Sequence, residues 1–241
     1  MYLKGLKPTV LEHPPSVTGE QVEVVVLYAD LRDFSEFSNS ANPGHVAQVV
    51  QICYERVIQL VLDAHHQFHK FLGDGYLLLW EVADHGSIET ALAFALEAAF
   101  EIHKKYWYAR QQLNFATPLG FGIGIACGTV VRVQPETFFK ELNEPDFVGY
   151  PMNLGARLQT LAEAYGVVLD NKGAIACQAH PEIFSERGHQ ALGYELLIPN
   201  SRALEKASGL KGVKQEDRKN FRYVVLPALQ QLWRANGQPK D

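Results

Sequence analysis

Between His69 and Trp80 the chain reads HKFLGDGYLLLW, two β-like runs joined through Gly73-Asp74-Gly75. A glycine on each side of Asp74 lets the backbone take positive φ and reverse tightly, so the segment reads as a hairpin with a carboxylate at its tip. The other dominant run, Val22 to Ala29, is almost unbroken in β-branched and apolar residues, the pattern of a strand covered on both faces, and Asp30 closes it. Taken singly, Asp74 reads as a turn residue and Asp30 as a strand end. Two carboxylates at strand ends can share divalent cations.

Around these two strands the pattern alternates between helix and strand. Residues 31 to 42, rich in Ser and Asn, read as a loop in which Arg32 lies at the surface. Pro43 and Gly44 announce a helix with apolar positions at Val46, Val49, Val50, Cys53, Val57, Leu60 and Val61. A second helix is expected from about Ser87, where Ser87 and Thr90 are both plausible caps, to about Tyr108. Phe121, Ile123 and Ile125 alternate with Gly120, Gly122 and Gly124, which predicts a glycine-lined strand hairpin turning at Gly128-Thr129; no helix follows it, as a phosphate loop would need. Pro151 opens a third helix running to about Tyr165, with Asn153 and Arg157 at i and i+4 on one face. Short pieces at Val167 to Leu169 and Ala174 to Ala179 and strands near 192–198 and 221–226 complete the pattern, with a solvated charged loop at 211–219. The expected architecture is α/β of the α+β kind, with helices on one side of a largely antiparallel sheet. Residues 1–20 read as an extended arm, 21–226 as one catalytic domain and 227–241 as a tail.

With 241 residues, 47% of them hydrophobic, the chain can bury one substantial core. Its 22 Lys+Arg against 27 Asp+Glu, a net charge of -5 without a basic block, argue against a nucleic-acid partner. Cys53, Cys127 and Cys177 are odd in number and far apart, which argues against a disulfide framework or a zinc site. His65, His66 and His69 read as a surface run rather than metal ligands. The most apolar helical stretch, Ala91 to Ile102, carries Glu97 and Glu101 and is too short for a bilayer, and no signal-peptide pattern opens the chain, so a cytoplasmic location without membrane contact is expected.

Three stretches in order, YADLRDFSEFS, KFLGDGYLLLW and DFVGYPMNLGARLQTLA, resemble the motifs of class III nucleotidyl (adenylate/guanylate) cyclase catalytic domains. The third places Asp146, Asn153 and Arg157 at separations of seven and four. The resemblance implies a ferredoxin-like core. It also implies that Asp30, Asp74 and the backbone carbonyl of Leu31 hold two divalent cations, Mn2+ or Mg2+. Backbone amides at Phe34 and Ser35 would cradle phosphates, and Lys70 with Asp146 would read the base. Asn153 would hold the ribose, Arg157 the α-phosphate in the transition state, and Lys211 the terminal phosphates. The family assembles such sites between two chains, so a head-to-tail homodimer is implied. Two segments depart from the family. Gly122 stands where the family has an arginine aimed at the triphosphate, and TVVRVQPETFFKELNEP lacks the usual glycine-containing link.

Lysine donates and aspartate accepts, so Lys70 and Asp146 suit adenine through N1 and its amino group, and uracil through O4 and N3–H. KFLGDGYLLLW and MNLGARLQ, in a chain that reads as a lone catalytic domain, resemble the stand-alone pyrimidine cyclases of the bacterial anti-phage system called Pycsar. That resemblance implies UTP as favoured substrate, cyclic UMP as product and a separate cyclic-nucleotide-sensing effector. The alternatives are an adenylate cyclase with the same residue roles, or a degenerate regulatory or binding module, which would have lost a metal aspartate or the Asn/Arg pair.

Overall fold

The computed structural model describes residues 17–63, 65–135, 144–181 and 194–236. Its strands are β1 (Val17–Leu31), β2 (Phe68–Phe71), β3 (Gly75–Glu81), β4 (Phe121–Pro135), β5 (Asp146–Val148), β6 (Gly166–Leu169), β7 (Glu195–Leu197) and β8 (Arg222–Val225). They form one sheet in the order β2-β3-β1-β4-β6-β8-β7, with β5 added on β4. Every pairing is antiparallel except β4 with β6. The helices are α1 (Phe34–Ser40), α2 (Pro43–Asp63), α3 (Val82–His85), α4 (Ile88–Arg110), α5 (Tyr150–Leu158), α6 (Asn171–Ala179), α7 (Ser201–Ser208), α8 (Asp217–Asn220) and α9 (Pro227–Asn236).

The β-branched run of β1 sits centrally because it can be buried on both faces. Successive side chains of a strand point to opposite sides, so Val25, Leu27 and Ala29 enter one core while Val24 and Val26 enter the other. The first core is closed by α2, α4, α6 and Leu229 of α9. The second is closed by Met152, Leu154 and Leu158 of α5 and Ala207 of α7. Helices therefore cover both faces, not one as the sequence pattern suggested. A chain with two apolar strand faces cannot leave either to water.

Several boundaries differ from the sequence reading. Strand β1 starts at Val17, so residues 17–20, expected in the arm, pair with β4 from Val17↔Pro135 onward; residues 1–16 of the expected arm lie outside the described residues. Helix α1 lies inside the expected loop 31–42. The expected turn at Gly128-Thr129 does not form, because β4 runs straight from Phe121 to Pro135 along β1. The glycine serves packing instead, since a Cβ on Gly128 would meet Pro151 Cγ at 2.8 Å. Gly124 has the same purpose, for a Cβ there would stand 2.3 Å from both the Gln159 nitrogen and the Gly155 oxygen. Glycines on β4 thus form the floor on which α5 lies directly. The third helix stops at Leu158, passes into a 3-10 turn at Gln159–Leu161 and ends there, with Tyr165 at φ 64 redirecting the chain into β6. The segment 211–219, expected as loop throughout, ends in α8, and the tail carries α9.

Ser87 caps α4 by accepting from the Thr90 amide. Asp170, 3% exposed, caps α6 and ties it to the sheet by accepting from the Gly173 amide at 2.9 Å and the Cys127 amide at 3.1 Å. Burial outweighs those hydrogen bonds and pushes its pKa from 3.8 up to about 6. The unfolded carboxyl therefore loses its proton near pH 4 and the folded one only near 6, so the stability Asp170 lends is full below that window and declines as pH rises through it. The cost of Asp170→Ala, read from denaturant midpoints, is expected to shrink by up to about 3 kcal/mol between pH 4 and pH 7. A cost that grew with pH would contradict this sign.

Candidate functional site

The register of β1 sets Asp30 opposite Gly75 on β3 and Gly122 on β4, bringing the end of the buried run against the corner that carries Asp74. Of the two glycines at that corner only Gly73 takes positive φ, at 81°. Gly75 is a glycine for another reason, since a Cβ there would lie 2.7 Å from the Ala29 carbonyl oxygen. The Tyr54 hydroxyl of α2 donates to the Gly73 carbonyl at 3.1 Å and pins the turn. Burial raises the pKa of both Asp30 and Asp74, the Asp30 charge raises that of Asp74 further, and the Arg32 guanidinium works against both shifts. A carboxylate whose charge raises another's pKa shares its neighbourhood.

That donor set suits a hard divalent cation. Among the described residues no group of three or more His, Cys, Asp or Glu side chains is placed to hold a metal ion. A cation here would find the two carboxylates and would complete its shell from elsewhere, the habit of Mg2+ ions that bind through one or two carboxylates plus substrate phosphate. Leu31 follows Asp30 with its side chain in the first core, 2% exposed, and the β1–β3 register stops one residue before it. Phe34 and Ser35 open α1, where Asp33 is the N-cap at φ 61 and makes no side-chain cap hydrogen bond.

Arg32, expected at the surface, is not there. Its side chain is 18% exposed, and Nη2 donates to Asp30 Oδ2 at 2.8 Å and to Gln159 Oε1. Arg32 lies one residue past β1, and its amide continues the pairing by donating to the Gly120 carbonyl oxygen at 3.0 Å, which returns residue 32 to the face of Asp30. Gly122 supplies the room: a Cβ at that position would lie 2.8 Å from Arg32 Nε and 2.9 Å from Cζ.

The second group forms where β5 folds back over the sheet. Phe147 packs on Phe68 with ring centroids 5.1 Å apart, and beside them Lys70 Nζ stands 3.6 Å from Asp146 Oδ2. Both side chains are about half exposed, at 52% and 55%, so the pair adds little stability and its donor and acceptor stay open to a ligand. Tyr28, two residues before Asp30 and on the same face, belongs to this group. Burial and then the Asp146 charge raise its pKa, and its ring edge would meet a Cβ on Gly155 at 3.0 Å.

The third group is the outer face of α5. Met152, Leu154, Gly155 and Leu158 are buried, while Asn153 and Arg157 are exposed. Among the described residues neither of those side chains makes a hydrogen bond or ion pair. Lys211 is exposed beside Gly212, which takes φ 75, and no described contact joins it to the other expected site residues. Its loop is nevertheless tied to the start of α5, since the Tyr150 hydroxyl accepts from the Lys214 amide at 2.8 Å and donates to Asp217 Oδ2 at 2.6 Å. Arg32, Tyr28, Tyr54 and Tyr150 were missed in the sequence. Only Arg32 carried a usable signal, its i+2 spacing from Asp30.

No helix among the described residues is long and apolar enough to cross a membrane. Residues 17–176 match the profile of the family described as "Adenylate and Guanylate cyclase catalytic domain". The chain is 24% identical over 160 residues to Adenylate cyclase 1 of Rhizobium meliloti (strain 1021), a match covering 65% of this chain and 23% of that protein. The chain thus spans about a quarter of the curated relative it matches. In fold it is similar to the adenylyl cyclase CyaB from P. aeruginosa, with TM-score 0.66 and 16% identity over 86% of this chain and 96% of that one. It is also similar to the non-canonical dimeric guanylyl cyclase domain of the RhoGC fusion protein from the aquatic fungus Blastocladiella emersonii, with TM-score 0.54 and 12% identity over 88% and 98%.

Proposed function

The chain belongs to the family of adenylate and guanylate cyclase catalytic domains, and from that premise we propose that it is a cytoplasmic uridylate cyclase, making cyclic UMP as the messenger for a separate effector in anti-phage defence. The ribose 3′-oxygen of UTP attacks the α-phosphorus, the bond from that phosphorus to the bridging oxygen breaks, pyrophosphate leaves and the 3′-hydroxyl proton is released. Asp30, Asp74 and the Leu31 carbonyl would hold two divalent cations, Mn2+ or Mg2+, which when bound assist deprotonation of the 3′-hydroxyl and neutralise charge on the leaving group.

The chain's own residues do the positioning. Lys70 donates to uracil O4 and Asp146 accepts from N3–H. Asn153 orients the ribose without adding charge. Arg157 offers a permanent, planar donor fork to the α-phosphate as it gains charge. The amides of Phe34 and Ser35 and the ammonium of Lys211 hold the outer phosphates. The active form is a homodimer in which metal aspartates of one protomer face Asn153 and Arg157 of its partner; the exposed, unpaired face of α5 supports this arrangement, and one fold neighbour is described as dimeric.

The observation that carries the base-reading role is the Lys70–Asp146 pair, a half-exposed donor and acceptor 3.6 Å apart; the pair suits uracil and adenine alike, and the preference for uracil rests on the resemblance to the pyrimidine cyclases. UTP is expected to give a higher kcat/KM than ATP, and Asp146→Ala is expected to reduce that preference by about tenfold or more, because a base edge then loses its partner. A higher kcat/KM for ATP moves the protein to adenylate cyclase with all other roles kept. Binding of nucleotide without any cyclic product moves it to a regulatory or binding module.

A further inference from the structure

We infer that Arg32 is a triphosphate-binding residue, its guanidinium filling the place of the side chain that Gly122 lacks; this rests on the cyclase reading above. Arg32 is held where it is by the β1–β4 register. Asp30 stands opposite Gly122, residue 32 returns to the same face, and the guanidinium lies so close over Gly122 that a Cβ there would touch Nε and Cζ at 2.8 and 2.9 Å. Alanine at 122 would also crowd the Ala162 carbonyl oxygen at 3.0 Å, so the two positions are fitted to each other: no side chain at 122, a long cation from 32.

The donor accounting leaves this cation with capacity to spare. Nη2 is used by Asp30 Oδ2 and Gln159 Oε1, and Nε reaches the Asp30 carbonyl oxygen at a long 3.3 Å. Nη1 makes no hydrogen bond among the described residues. A permanent charge bonded directly to a carboxylate that binds a divalent cation competes with that cation for the same oxygen. The competition is offset only when an anion of higher charge arrives beside both. A triphosphate is such an anion, and cations held by Asp30, Asp74 and the Leu31 carbonyl would draw its oxygens to this end of the sheet to complete their shells. The planar fork of Arg32, adjacent to Asp30 and with Nη1 open, is then placed for charge-assisted bonds to those phosphate oxygens.

Inorganic pyrophosphate with Mn2+ is the probe, and isothermal calorimetry on wild type, Arg32→Ala and Arg32→Lys is the measurement, with circular dichroism verifying each fold. Arg32→Ala is expected to weaken pyrophosphate binding by roughly 10- to 100-fold, with Mn2+ alone binding as tightly as to wild type or more tightly because its competitor is gone. Arg32→Lys is expected to recover part of the loss, keeping the charge and losing the fork. Unchanged pyrophosphate binding by Arg32→Ala, with weaker binding of Mn2+ alone, overturns the assignment and makes Arg32 a support for Asp30. Failure of the underlying reading is visible separately: a wild type that makes no cyclic nucleotide removes the cyclase role, while the calorimetry still decides whether Arg32 contacts phosphate.

Discussion

Asp30→Ala and Asp74→Ala are each expected to lower the rate of cyclisation by at least about a thousandfold, roughly 4 kcal/mol of transition-state stabilisation. Among the described residues no group of three or more His, Cys, Asp or Glu side chains is placed to hold a metal ion, so losing either aspartate leaves a single carboxylate at this end of the sheet. The fold should survive both changes. Asp30 stands at the end of β1 with its side chain 42% exposed, Asp74 sits at a turn, and burial makes the charged form of each less comfortable in the folded state than in the unfolded one. A thermal midpoint equal to or slightly above that of wild type should therefore accompany the loss of activity in Asp74→Ala, whereas Asp30→Ala, which leaves the 18% exposed Arg32 side chain without its carboxylate, should fold with a lower midpoint. Turnover at the wild-type rate by either variant would remove the two carboxylates from the mechanism.

Mixing inactive Asp74→Ala with inactive Arg157→Ala, under conditions that let subunits exchange, is expected to restore activity to about a quarter of wild type. In a head-to-tail dimer each site takes Asp74 from one protomer and Arg157 from its partner. In a mixed dimer one site then carries both lesions and the other neither, so half the dimers are mixed and half of their sites are intact. The motivation is the contrast between the groups within one chain. The Asp30 charge raises the pKa of Asp74 within one chain, whereas Arg157 stands exposed on α5 with no described partner of its own. A mixture that stays inactive although exchange is demonstrated would place all the named residues in one protomer's site. In that case Arg157→Ala alone should still lower kcat far more than it raises KM, since its charge is used mainly as the α-phosphate gains charge.

What the sequence revealed of this protein was mostly what one strand or one corner determines locally. The buried run before Asp30, the reversal at Asp74 and the cap at Ser87 depend on near neighbours, and they stand where the pattern put them. What it concealed depends on contacts between distant segments. The alternation of Gly120, Gly122 and Gly124 reads as a hairpin because glycine signals a turn as readily as a close approach; only the arrival of distant residues distinguishes the two, Tyr165 over Gly120, Arg32 and Ala162 over Gly122, and Gly155 and Gln159 over Gly124. Arg32 looked like a surface residue because arginine usually is one, and the space that admits it is made by Gly122 on another strand. Lys70 and Asp146 were paired through family resemblance, and the physical cause, Phe147 of β5 settling on Phe68 of β2, is a contact no local pattern announces.

Incubation of the purified protein with each of UTP, CTP, ATP and GTP and Mn2+, followed by chromatographic identification of products, tests the central claim most directly. A cyclic 3′,5′-mononucleotide and an equal amount of pyrophosphate should appear, fastest from UTP, and both should vanish with Asp74→Ala. Absence of a cyclic product from all four, from protein shown to be folded and to bind nucleotide, would contradict the account.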